Sequence, residues 1–71
     1  MNPYYYIDGV NIHFKHLWAA KYHVYVAFTQ EERKKYLRNT CITKVYNEEI
    51  VTTTPIIVTD NSYSFGKTKK Y

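Results

Sequence analysis

The 71-residue chain has a single cysteine, Cys41, and therefore cannot form an internal disulfide. A lone thiol is typical of proteins kept in a reducing compartment. The sequence also lacks the roughly 20 consecutive apolar residues of a membrane-spanning helix. Its first residues lack the basic start and long apolar run of a secretion signal. We therefore expect a cytoplasmic protein, in its own cell or in an infected host cell, with no membrane partner.

Arginine is scarce, because lysine outnumbers it eight to two. Arginine is the residue preferred for bidentate contacts with guanine and phosphate, so its scarcity argues against sequence-specific reading of DNA. The net charge of +4 lies in residues 30–38 and in the end of the chain from Gly66, while the rest is close to neutral. A composition rich in lysine, tyrosine, asparagine and isoleucine favours an AT-rich coding origin, such as a virus or a mobile element.

A chain of this length forms one domain, which buries only about 60% of the surface that the unfolded chain exposes. Without a disulfide, its stability has to come from a partner, from self-association into a homo-oligomer, or from dense aromatic packing. Nine tyrosines, three phenylalanines and one tryptophan supply large apolar areas for such packing.

The first half of the chain is rich in β-branched and aromatic residues. Tyr4–Ile7 and Val10–Phe14 predict a hairpin, because the Asp8-Gly9 pair between them favours a type I′ turn. The stretch Phe14–Tyr22 fits helical and strand spacing almost equally well, and we favour an extended strand that turns at its end. Tyr22–Phe28 alternates with period two and predicts another strand.

A helix is predicted over Gln30–Asn39. Thr29 stands three residues before Glu32, which is the capping-box pattern of a helix N-terminus. Acidic residues occupy the first turn and basic residues the later turns, as the helix dipole favours. This helix has a thin apolar stripe, so we expect it to lie on the surface of a sheet.

The second half of the chain predicts further strands. Cys41–Tyr46 alternates, and Ile50–Thr59 is rich in β-branched residues. Pro55 lacks a backbone donor, which predicts that its strand is bulged or at an edge. The predicted fold is therefore a small α+β domain, residues 1–65, with an antiparallel sheet of four to five strands and one helix. Residues 66–71 are predicted to form a mobile basic tail.

No residue pattern predicts catalysis, a metal site or a cofactor. His13, His16, His23 and Cys41 are scattered, whereas structural zinc sites pair close ligands at both ends. The carboxylate pair Glu31-Glu32 is explained by helix capping, and Glu48-Glu49 by a turn. We therefore expect a binding protein without enzymatic activity.

Two sets of residues are candidate binding sites. Tyr4, Tyr5 and Tyr6 are adjacent in a predicted strand, so at least one ring has to lie on each face of the sheet. Tyrosine is enriched at protein interfaces because it combines apolar area with a polar tip. The alternative site is a set of cations that would track phosphates without reading sequence. It comprises Lys34, Lys35, Arg38, Lys67, Lys69 and Lys70.

We expect the tyrosines to carry the function, because the charge is confined to one helix face and the tail. The predicted protein is a small regulator or inhibitor that docks on a protein partner, of the kind that viruses or mobile elements use as accessory proteins. The alternative is a protein that binds single-stranded nucleic acid or RNA through lysine, arginine and tyrosine.

Overall fold

In the computed structural model, which describes residues 2–71, one antiparallel sheet carries two helices on one of its faces. The strands are β1 (Tyr4–Ile7), β2 (Thr40–Tyr46), β3 (Glu49–Val58), β4 (Tyr63–Phe65) and β5 (Lys69–Lys70). The helices are α1 (Leu17–Val26) and α2 (Gln30–Glu32), and α2 continues directly into a π-helical stretch, Arg33–Leu37. The α+β class and the sheet of four to five strands are confirmed. The number of helices is corrected from one to two.

The N-terminal hairpin is only partly formed. Strand β1 is where the sequence predicts it, and the Val10 amide donates to the Ile7 carbonyl at 2.9 Å across the turn. Within the Asp8-Gly9 pair only Gly9 has a positive φ, so the turn is not type I′. The predicted return strand is wrong except for Phe14, whose N–H and C=O both pair with Tyr5 at 2.8 Å.

Residues 11–13 do not pair with β1, although Val10 before them and Phe14 after them make backbone hydrogen bonds to β1. Val10 packs against the core, and the His13 ring stacks on Tyr4 with 4.0 Å between the ring centroids. Ile12, which lies between these two residues, is exposed.

The strand predicted over Tyr22–Phe28 is also wrong, because most of this segment belongs to α1, as does most of the Phe14–Tyr22 stretch. The strand pattern would bury Tyr22, Val24 and Val26 together. Only Val24 is buried, and its buried neighbour on α1 is Ala20, four residues earlier. Burial at helical spacing against the sheet overrides the local β propensity of valine and tyrosine.

Arg33 supplies hydrogen bonds to the C-terminal end of α1. Its side chain is buried, its Nε donates to the Val24 carbonyl at 2.9 Å, and its Nη2 donates to the Tyr25 carbonyl at 2.7 Å. The last carbonyls of a helix have no partner within the helix, so a cation that donates to them satisfies and stabilises its end. The guanidinium also lies 4.2 Å from the centroid of the Tyr63 ring.

The capping box predicted at Thr29 is confirmed. The Thr29 hydroxyl accepts from the Glu32 amide at 3.2 Å, and the Thr29 amide donates to the Glu32 carboxylate at 2.8 Å. The helical stretch ends at Leu37, before the predicted end at Asn39, because Arg38 is extended and Asn39 has a φ of 60°. The Thr40 hydroxyl donates to the freed Leu37 carbonyl at 2.6 Å.

Pro55 does not place its strand at an edge. Strand β3 is central, with β2 on one side and β4 and β5 on the other, and the bulge between β2 and β3 is at Lys44/Val45. The Pro55 carbonyl accepts from the Gly66 amide at 2.9 Å, so the donor-free nitrogen faces the side of β4 and β5. The missing donor therefore falls where the partner of β3 changes from β4 to β5.

Residues 66–71, predicted as a mobile tail, run along β3. Strand β5 pairs with Thr52 and Thr53, and the Tyr71 amide donates to the Val51 carbonyl at 2.9 Å. The Thr54 and Thr68 hydroxyls are 2.8 Å apart. Backbone pairing and this part-buried hydroxyl contact hold the segment without any apolar side chain, which is why hydropathy did not predict it.

The core is small. Six buried residues form it, contributed by β1, α1, the π-helical stretch, β2 and β3: Ile7, Ala20, Val24, Leu37, Ile42 and Ile56. A ring of half-buried residues, mostly aromatic, surrounds it. Within residues 2–71 no helix has the length and hydropathy needed to cross a membrane.

Replacing Thr29 with alanine is expected to lower the free energy of unfolding by about 1 kcal/mol, because the Glu32 amide loses its acceptor. Thr29→Ser keeps the hydroxyl and is expected to stay within a few tenths of a kcal/mol of the parent. Urea denaturation followed by circular dichroism measures both, and equal losses in the two variants would show that the cap contributes nothing.

Arg33→Met is expected to cost about 3 kcal/mol, because the buried Val24 carbonyl and the part-buried Tyr25 carbonyl at the end of α1 lose charge-assisted donors. Arg38→Met is the matched control: its ion pair with Asp60, at 3.0 Å, is exposed, and such pairs contribute about 1 kcal/mol or less. A loss in Arg33→Met no larger than that in Arg38→Met would contradict the role assigned to Arg33.

Candidate functional site

The three adjacent tyrosines are divided between the two faces of the sheet. Tyr5 lies on the same face as Ile7, which is buried under the helices, and Tyr5 itself packs against the core. Strand alternation puts Tyr4 and Tyr6 on the opposite face, which we call the open face. All three rings are half-buried. The structure therefore brings together two of the three predicted residues.

Tyr4 and Tyr6 line a groove of about 470 Å³ on the open face, which we call the tyrosine groove. The other lining residues come from the loop after β1, from the end of β2, from the turn that follows it and from the start of β3: Val10, Asn11, His13, Val45, Glu48 and Ile50. The Tyr4 ring is held by its stack on His13, in which the ring planes are 16° apart. Ile50 is half exposed, and Val45 is buried.

The tyrosine groove offers apolar surface beside hydrogen-bonding groups. Val45 and Ile50 supply apolar surface, and the phenol groups of Tyr4 and Tyr6 can donate and accept hydrogen bonds. Asn11 adds an amide and Glu48 a carboxylate. The lining residues of the groove include no cysteine, serine or threonine.

The basic residues of the helical region are largely engaged. Lys34 lies 3.6 Å from the Glu31 carboxylate, and Arg38 lies 3.0 Å from that of Asp60. The Lys35 ammonium lies 5.2 Å from the centroid of the Tyr36 ring. The two ion pairs reduce the net positive field that the helix presents to a polyanion.

The lysines of β5 are divided between the two faces of the sheet. Lys69 pairs with Thr53 and Lys70 with Thr52, so their side chains leave opposite faces of the sheet. By the register across β1, β2, β3 and β5, Lys69 shares the open face with Tyr6. The helices lie on the other face. The predicted set of cations is thus divided between two sides of the molecule.

A second exposed apolar surface was missed by the sequence patterns. Trp18, Tyr22, Tyr25 and Val26 project from α1 and are 68, 59, 61 and 53% exposed. We call these four residues the outer stripe. They were missed because the segment was interpreted as a strand. Their spacing of i, i+4, i+7 and i+8 was the available signal for one helix face.

The histidines pack singly against aromatic rings. His16 stacks on Trp18 with 5.7 Å between centroids, and His23 lies between Phe14 and Phe28, at 5.2 and 5.8 Å. The Cys41 sulfur lies 3.8 Å from an Asp8 carboxylate oxygen. Over residues 2–71 no three metal-ligating side chains come close enough to share an ion.

The function has to be argued from these surfaces, because fold alone does not determine what a protein does. The sheet carries one groove with fixed aromatic rings, and α1 carries one exposed apolar stripe. No family model, curated protein or solved structure matches this chain.

Proposed function

We propose that this chain is a small protein-binding domain without enzymatic activity, which docks on a protein partner through the tyrosine groove. The observation that carries the proposal is the position of Tyr4 and Tyr6 on the sheet face that the helices leave open, beside the half-exposed Ile50. A regulator or inhibitor of the kind used by viruses or mobile elements, acting in the cytoplasm, fits this design.

The groove suits an interface because its aromatic anchors are already positioned. The His13 stack fixes the Tyr4 ring, and Tyr6 is half-buried, so docking costs little side-chain entropy. Tyrosine, tryptophan and arginine dominate the residues that contribute most to protein–protein affinity. The partner we expect inserts an apolar side chain between the two rings and makes hydrogen bonds to the phenols and to Glu48.

Binding to single-stranded nucleic acid is the second candidate function, and one observation favours it. Lys69 shares the open face with Tyr6, so a base stacked on a tyrosine would have one lysine on the same face for its phosphate. The ion pairs of Lys34 and Arg38 weigh against it, because each lysine or arginine that already faces a carboxylate contributes less to phosphate binding.

The protein-binding proposal is tested by affinity capture from a lysate of the native or host cell, with and without nuclease. The captured protein is then produced alone and titrated by calorimetry. Replacing both Tyr4 and Tyr6 with alanine is expected to weaken its binding at least tenfold, because two anchor rings are lost.

The matched control is Tyr36→Ala, which removes an exposed tyrosine ring from the helix side of the molecule and is expected to leave the affinity unchanged. Circular dichroism of each variant verifies that the fold is retained. Equal affinity of the parent and the Tyr4/Tyr6 double variant would exclude the groove as the docking site.

Salt titration separates the two candidate functions. With a mixed-sequence 20-nucleotide strand, we expect no binding at 50 mM salt with protein up to about 100 µM, because few cations share one surface. Submillimolar binding that weakens steeply with salt and is reduced by Lys34→Ala, Lys35→Ala or Lys69→Ala would favour the nucleic-acid function instead.

A further inference from the structure

We propose that the tyrosine groove selects a basic segment of its protein partner. Beside the apolar side chain that enters between Tyr4 and Tyr6, the partner carries an arginine or lysine that binds the Glu48 carboxylate. This inference rests on the proposed function, because it names the chemistry of the partner at that same groove. It makes Glu48 the residue that determines specificity.

The charge of the groove is negative, although the chain as a whole is basic. Glu48 is the acidic residue among those that line the groove, and no lysine or arginine lines it. Within residues 2–71 no lysine or arginine nitrogen lies within 4 Å of its carboxylate, because both ion pairs of the chain are formed elsewhere. In a chain with a net charge of +4, this groove therefore offers an exposed carboxylate that no cation neutralises.

The tyrosine rings of the groove reinforce this negative charge. The face of an aromatic ring attracts a cation that lies within about 6 Å of the ring centroid. Tyr4 and Tyr6 line the same groove as Glu48, so a basic side chain bound there meets a carboxylate and aromatic rings together. Arginine suits this combination best, since its planar guanidinium stacks on rings and binds a carboxylate through two N–H groups.

The lysines of the neighbouring strands do not neutralise the groove. Lys44 precedes Val45 in β2 but lies over the other face of the sheet, with its ammonium 5.8 Å from the centroid of the Tyr5 ring. Lys69 shares the open face, but three strand spacings separate it from Tyr6, which is roughly 14 Å. That distance exceeds the Debye length of about 8 Å at physiological ionic strength.

Two further carboxylates lie on the same side of the molecule. Glu49 follows Glu48 directly and is exposed. The Asp8 carboxylate lies 3.8 Å from the sulfur of Cys41, which alternation with the buried Ile42 puts on the open face. The field around the groove thus favours a cationic partner and disfavours a polyanion.

The backbone of Glu48 shows that its side chain is present at a conformational cost. The turn between β2 and β3 has two residues, Asn47 and Glu48, with φ values of 51° and 65°. Positive φ at both positions is the pattern of a type I′ turn, for which asparagine followed by glycine is preferred. Glu48 occupies the glycine position, where a side chain is strained. Strained residues are concentrated at functional sites.

Replacing Glu48 with glycine is expected to have opposite effects on stability and on binding. The midpoint of urea unfolding is expected to rise, because glycine adopts positive φ without strain. The affinity for a basic peptide is expected to fall about fivefold, which is the loss of one exposed ion pair. A variant that binds the basic peptide as tightly as the parent would overturn the proposal.

The selection is tested by NMR titration of the full 15N-labelled chain with three pentapeptides, each acetylated and amidated: Lys-Ala-Leu-Ala-Lys, Gln-Ala-Leu-Ala-Gln and Glu-Ala-Leu-Ala-Glu. Alternate residues of an extended peptide face the same side, and a charge on each side of the leucine serves either direction of binding. The basic peptide is expected to shift the amides of Tyr4, Tyr6 and Glu48 and to bind about fivefold more tightly than the neutral one. Equal affinities of these two peptides, or no binding by any of the three, would overturn the proposal.

Variants of the two adjacent glutamates locate the selection. Glu48→Gln is expected to abolish the preference for the basic peptide, and Glu48→Lys to reverse it in favour of the acidic peptide. Glu49→Gln is the matched control, because Glu49 is an exposed neighbour that does not line the groove, and it is expected to keep the preference. Equal losses in Glu48→Gln and Glu49→Gln would assign the preference to the general charge of the turn and would exclude Glu48 as its origin.

The captured protein partner separates this proposal from the docking function. Glu48→Gln is expected to weaken its binding about fivefold, less than the loss of both tyrosine rings. If the Tyr4/Tyr6 double variant weakens binding and Glu48→Gln does not, the groove is the docking site and the selection of a basic segment is wrong. If the double variant binds as tightly as the parent, the docking function itself is excluded.

Discussion

The guanidinium of Arg33 joins the two helices of this small domain, and the position of α1 on the sheet depends on it. Its two bonds satisfy the Val24 and Tyr25 carbonyls, which would otherwise be left without donors at the end of α1. Its stacking on Tyr63 extends the same contact to β4. The capping box at Thr29 starts the helical stretch that carries Arg33. A local cap therefore positions the side chain that makes the long-range contact with α1. Because the core has only six buried residues, such polar contacts select a single packing arrangement of the helices on the sheet.

Local patterns predicted the elements whose conformation is determined locally. The capping box and the alternation of β1 and β2 were sufficient, because turns and periodicity act over a few residues. Helix α1 was missed, because Tyr22–Phe28 satisfies a strand pattern by itself. Only the distant Arg33 and the fit of Ala20 and Val24 into the core favour the helix. The pairing of residues 66–71 was missed for a related reason, since backbone hydrogen bonds and threonine hydroxyls leave no hydrophobic pattern.

For the candidate site, too, the sequence predicted the local arrangement but not the distant neighbours. Alternation along β1 requires that adjacent tyrosines lie on different faces, and the structure has Tyr5 on the core side and Tyr4 and Tyr6 on the open face. The neighbours that make a groove of them, His13 and Ile50, come from other parts of the chain and have no sequence signature. With a groove on one face and an apolar helix surface on the other, one short chain can present two independent contacts.

The single bridge between Tyr5 and Phe14 has a consequence for the colloidal behaviour of the chain. It occupies the outward N–H and C=O groups at the middle of β1, so this border cannot template another strand. The opposite border is divided between the three residues of β4 and the two of β5, with residues 66–68 between them. Neither border offers the long flat ladder from which fibrils grow. A sequence with nine tyrosines and many β-branched residues is thereby protected against amyloid-like stacking in its folded state.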